Sequence, residues 1–124
     1  MYQFSYAEVL EDDPLEARER ERKALGHAVE LLRVAKQSGP ESRDGVEALL
    51  FVRRLWTVLL DDLANPDNAL PETLRASLIS IGIWILKQAD LVRLDGSRDL
   101  DGLIAVNETI RDGLARPMPA GIAA

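Results

Sequence analysis

The sequence predicts an all-α fold, an antiparallel four-helix bundle preceded by an N-terminal aromatic arm. Three observations lead there. Four stretches repeat apolar residues at helical spacing. Short segments rich in Gly, Pro, Asn and Asp separate them, and short connections make successive helices antiparallel neighbours. Finally, 124 residues with 47% hydrophobic and 29% charged residues suit a single soluble core of ordinary size. The expected organisation is an arm over 1–12, a bundle over 13–115 and a flexible tail over 116–124.

The same composition narrows the function classes. The absence of cysteine rules out disulfides and thiolate zinc sites and suits a reducing cytoplasm. A net charge of -6 opposes a phosphate-binding surface, so direct nucleic-acid binding is not expected. The opening residues, with Glu8, Glu11, Asp12 and Asp13, lack the basic and apolar regions of a signal peptide. The longest apolar run, Leu78 to Leu86, falls far short of the roughly 20 residues that span a bilayer. A cytoplasmic protein without membrane insertion is expected.

The arm supplies Tyr2, Phe4 and Tyr6, half of the six aromatic residues, before any helical period begins. Aromatic groups in such a segment dock. It is either a strap folded permanently on the bundle or one that a partner displaces. Helix 1 is predicted to start at Asp13 as N-cap, with Pro14 at the first helical position and Glu16 placed for a capping box. Its first turns are charged all round, and Glu16 with Arg20 and Glu19 with Lys23 are spaced as i,i+4 pairs. Further on, Ala24, Leu25, Ala28, Leu31, Leu32 and Ala35 form a stripe that should bury, with His27 beside it as an ordinary satisfied or exposed histidine.

Ser38-Gly39-Pro40 should end this helix, Gly as C-cap and Pro as a stop. Helix 2 is expected from Ser42 or Arg43 to Leu63. Leu49, Val52, Leu55, Trp56, Leu59, Leu60 and Leu63 cover about half its circumference, which makes it central and puts Trp56 in the core. Arg53 and Arg54 lie in its polar wedge. The segment Asn65 to Pro71 is a turn, since Asn and Asp favour turn backbones, Pro66 stops one helix and Pro71 is preset for the next.

Helix 3, expected from Pro71 to Leu94, carries its main stripe at Leu74, Leu78, Ile81, Ile85, Ala89 and Val92. Gly82 borders it. A glycine in mid-helix costs about 1 kcal/mol against alanine, so a closely approaching helix is expected there. Ile79, Ile83 and Leu86 form a second apolar set on roughly the opposite side, with Trp84 on a flank. A helix apolar all round is covered all round, either by its own bundle and arm or by a partner. After Asp95-Gly96-Ser97, helix 4 is expected from Asp99 to Leu114, with a seam of Leu100, Leu103, Ile104, Asn107, Ile110 and Leu114. Asn107 stands where an apolar group is expected. There it either fixes register, bonds a partner's backbone, or sits at the rim.

Reaction chemistry is poorly provided. There is one His, no Cys, and no nucleophile, zinc or phosphate-loop motif. Asp61 and Asp62 diverge by about 100° on a helix, and Asp95, Asp99 and Asp101 lack the bidentate Glu of a calcium loop. A protein without enzymatic activity, cofactor or metal is expected.

The joined pattern of Arg53-Arg54-Leu55-Trp56, Asn68-Ala69-Leu70-Pro71, Leu74-Arg75-Ala76, Leu78-Ile79-Ser80-Ile81-Gly82-Ile83-Trp84 and Val106-Asn107 through Ile110, Gly113 and Leu114 resembles the FlaF family of small flagellar proteins. Family members tend to carry Trp and Asn where this chain has Phe51 and Val52, so a polar role for that step is not carried over. The resemblance implies a non-enzymatic regulator that binds newly made flagellin as a cytoplasmic chaperone and helps deliver it to the flagellar export apparatus. The alternative it leaves is post-transcriptional control of flagellin expression through a protein partner, such as a translation regulator, or through messenger RNA. The tyrosine, spacer and Pro14-Leu15 at the start are also similar to FliS-type flagellin export chaperones. Under this reading Ile79, Ile83, Trp84 and Leu86 face the partner, Tyr2, Phe4 and Tyr6 cover that face when it is empty, and Arg53 and Arg54 orient the partner or brace the turn. Asn107 is the polar candidate for bonding the partner.

Overall fold

The computed structural model describes residues 14–115. Tyr2, Phe4 and Tyr6, the Asp13 cap and the tail from 116 onward lie outside the described residues. All the regular structure described is helical: α1 (Pro14–Ser38), α2 (Arg43–Ala64), α3 (Glu72–Leu94) and α4 (Asp101–Ala115). None of these helices is long and apolar enough to cross a membrane.

The turns form for the local reasons their residues suggest. Gly39 adopts φ +101°, the left-handed region that glycine enters without penalty, and its N–H closes the end of α1 on the Ala35 carbonyl. The Ser42 hydroxyl then caps α2 by accepting from the Gly45 N–H at 3.1 Å. Between α2 and α3, the Asn65 side chain accepts from the Asp67 N–H and the Asn68 side chain from the Leu70 N–H. Asn68 also donates to the Asp62 carbonyl, and the Arg75 guanidinium donates to the Asn65 carbonyl. Asn and Arg side chains thus stand in for the helix partners that the turn lacks.

Two starts shift from expectation. Pro71 is the N-cap rather than the first residue of α3, because its ψ of 142° is extended, so the helix opens at Glu72. Asp99 lies outside α4, its carboxylate accepting from the Asp101 N–H, and the first helical bond runs from Ile104 to the Leu100 carbonyl. On α1, Glu19 bonds Arg22 at 2.9 and 2.5 Å, and Lys23 acts on it only through its charge. A guanidinium offers two donors to one carboxylate and outcompetes a single ammonium.

Packing decides the architecture. Helix α1 lies along both α2 and α4, and α3 lies along α2, whereas α3 and α4 barely meet. The core draws Leu25, Val29 and Leu32 from α1, Leu49, Val52 and Trp56 from α2, Ile85 and Ala89 from α3, and Leu100 and Leu103 from α4. Along the α1–α4 seam, Arg18 of the first turns donates to the Leu114 carbonyl, Arg33 pairs with Glu108, and Lys36 pairs with Asp101 at 2.7 Å. Exposed pairs of this kind contribute between 0 and about 1 kcal/mol, so the apolar contacts hold the bundle.

Candidate functional site

The incomplete seam between α3 and α4 leaves an apolar groove of about 310 Å³, lined by Ile81 and Trp84 on one side and by Ala105, Val106, Thr109 and Ile110 on the other. Trp84 is its largest wall, with 39% of its surface exposed. Its indole crosses to α4 over Gly102, where an added Cβ would lie 3.3 Å from the ring. The one polar side chain of the lining is satisfied on its own helix, since the Thr109 hydroxyl donates to the Ala105 carbonyl. The lining therefore offers a ligand apolar surface and no charge.

The groove keeps its width through residues beneath it. Asn107 is buried on α4, and its carbonyl accepts from the Trp56 indole N–H at 2.8 Å while its amide donates to the Leu103 carbonyl. Trp56 in turn presses on Gly82 of α3, where an added Cβ would meet the Trp56 ring at 3.0 Å and Leu60 at 2.7 Å. The expected close helix approach at Gly82 is thus made by α2. Asn107, Trp56 and Gly82 form a spacer from α4 through α2 to α3, and the spacing between α3 and α4 follows from it.

The residues singled out from the sequence are dispersed. Trp84 lines the groove, while Ile83 is 45% exposed about 100° round the helix. Ile79 and Leu86 are half-buried and fall about 140° and 160° from Trp84, and Leu86 packs on the core. The Asn107 side chain is wholly inside the bundle with both of its polar ends used there. Arg53 joins α2 to α3 through Asp90 at 2.5 Å, and Arg54 is exposed on the same polar wedge. The α2–α3 turn is braced by Asn65, Asn68 and Arg75 instead.

Their spacing does not mark Ala105, Val106 and Thr109 as site residues, and Ile81 and Ile110 carry the spacing of core residues. The signal that could have pointed to them is the run of small residues Gly102 and Ala105 beside the α4 seam, opposite a tryptophan with no place in the α3 stripe.

The charged groups whose protonation shifts lie elsewhere. Burial raises the Glu21 carboxyl, and the Asp62 charge adds to this. The Ser97 hydroxyl bonded to Asp95 holds that carboxyl low. Arg22 does the same for Glu19, and Asp101 raises Lys36. Among the described residues no three His, Asp or Glu side chains converge as metal ligands. His27 is exposed and stacks edge-on against Phe51 at 4.9 Å.

The sequence profile of the family described as flagellar protein FlaF matches residues 2–114. The chain belongs to the FlaF family. Searches of curated proteins and of solved structures gave no significant match. FlaF membership gives the chain a flagellar role, and the span that carries it contains all four helices up to Leu114, together with every residue of the groove.

Proposed function

We propose that this FlaF-family protein is a cytoplasmic, non-enzymatic chaperone and regulator that binds newly made flagellin on an antiparallel helical bundle and helps pass it to the export apparatus. The observation that carries the proposal is the uncharged groove between α3 and α4, with Trp84 exposed along it. A partner helix docks in such a groove by inserting apolar residues at i, i+3, i+4 and i+7. Covering those residues keeps an unassembled subunit from self-association, which is what a chaperone for a polymerising protein must do. Within this reading Trp84, Ile81 and Val106 make the contact and Ile83 belongs to its outer rim.

Co-expression with flagellin followed by size-exclusion chromatography tests it. The full chain is expected to co-elute with flagellin. Trp84→Asp is expected to weaken capture at least tenfold, about 1.4 kcal/mol, and Ile83→Asp to weaken it less, with circular dichroism showing both variants folded. Undiminished capture by Trp84→Asp would remove the groove from the account. A sequence-specific shift of flagellin messenger RNA at physiological salt, without flagellin capture, would replace chaperoning by translational control.

A further inference from the structure

We infer that the solvent face of α3 is the contact between two copies of this chain, packed antiparallel about a twofold axis at the height of Gln88 and Ala89, with Lys87 of each copy against Asp90 of the other. This contact is separate from the flagellin groove and stands whether or not flagellin binds there.

Spacing and exposure make this face a seam. Ser80, Ile83, Lys87, Asp90 and Leu94 follow one another at alternating steps of three and four residues, the repeat by which one helix pairs with another. They fall within about 80° of one another round the axis, on the side away from the buried Ile85, Ala89 and Val92. Ile83 is half-exposed and Leu94 is 85% exposed, with Ser80 and Lys87 exposed beside them. None of these five residues lines the groove. Only Ile83, at its outer rim, borders both surfaces.

Charge decides the occupant and its direction. Lys87 has no ion-pair partner among the described residues. Asp90 accepts from Arg53 through Oδ1, which leaves Oδ2 for a second donor. When the seam meets its own inverted copy, Lys87 reaches Asp90, Ile83 reaches Leu94, and both contacts recur across the axis, as a self-complementary twofold interface requires. A parallel pair would instead set Lys87 against Lys87 and Asp90 against Asp90, like charges that oppose that alignment. The net charge of -6 on each copy resists approach, but physiological salt screens it beyond about 8 Å, whereas the seam contacts are closer than that. Ser80 to Leu94 spans about 21 Å of helix. An interface of that size belongs with the small, reversible ones.

Sedimentation equilibrium of the full chain, without flagellin, tests the contact. A monomer–dimer equilibrium with a dissociation constant of about 1–100 μM is expected, and a chain still monomeric at about 1 mM would overturn the inference. Lys87→Asp and Asp90→Lys should each weaken the dimer at least about tenfold, with circular dichroism showing both variants folded. Mixed in equal amounts, the two should pair with each other about as tightly as the parent pairs with itself, because each supplies the charge that the other lacks. Failure of the mixture to associate would overturn the antiparallel register. Leu94→Asp, at a position already in solvent, should also weaken the dimer at least about tenfold. Association as tight as the parent's would place the dimer on another face and sink the proposal.

Discussion

The two tryptophans divide this protein into two halves of different purpose. Trp56 is 1% exposed, its N–H is bonded to Asn107, and it touches the helices on both sides. Trp84 is 39% exposed on a groove wall and reaches α4 over Gly102. A buried indole whose polar atom is satisfied stabilises and positions helices. An exposed one with apolar neighbours is available to another surface. The difference teaches that the closed side of the bundle sets the geometry of the open side, because α3 and α4 owe their separation to residues on α2.

The sharpest way to break this division is Trp56→Ala, expected to cost about 3–5 kcal/mol in chemical denaturation, a large part of the stability of a domain this size. A loss below about 1 kcal/mol would make the closed side less essential than its burial implies. Gly82→Ala comes next. The added methyl meets Leu60 and Trp56 inside contact distance, so a loss of about 1–3 kcal/mol is expected. Gly113→Ala, with open space at its Cβ, should instead gain up to about 1 kcal/mol from helix propensity. Asn107→Leu leaves the Trp56 N–H unpaired and should cost about 1–3 kcal/mol, with the Trp56 emission changed.

Trp84→Ala sharpens the comparison from the other side. Stability should fall by less than about 2 kcal/mol, since much of the ring is already wet, and the residual fluorescence, then from Trp56 alone, should resist acrylamide quenching. The smallest effect is expected at Glu21. Burial raises its folded-state pKa above the unfolded value, so its contribution favours folding in acid and is lost as pH rises from the unfolded pKa through the folded one. Glu21→Gln should therefore be more stable than the parent at pH 7, by less than about 1 kcal/mol, and the advantage should vanish below the usual carboxylate range. Thermal melts from pH 3 to 7 check the sign.

Much of this was legible in the residues. The helix stripes, the Gly39 stop, the Asn65–Pro71 turn and the core position of Trp56 follow from periodicity and turn chemistry, which act over a few neighbouring residues. The candidate site was less so. Ile81 and Ile110 carry the spacing of core residues and still line a groove, because their stripes face each other across helices that do not close. Asn107 left three roles open from spacing alone, and its bond to Trp56 lies 51 residues away in sequence. Ile79, Ile83, Leu86 and Trp84 are near one another in the chain but point in different directions round one axis.

By itself, the sequence determined four helices, their ends to within about two residues and which residue types each must hide, since backbone propensity, capping and apolar period are local. Only the tertiary structure decided which pair of helices stays apart. That choice depends on side-chain volumes meeting at a distance, Trp56 against Gly82 and Asn107 against Trp56. No local pattern encodes how far two helices that hardly touch are held from each other by a third.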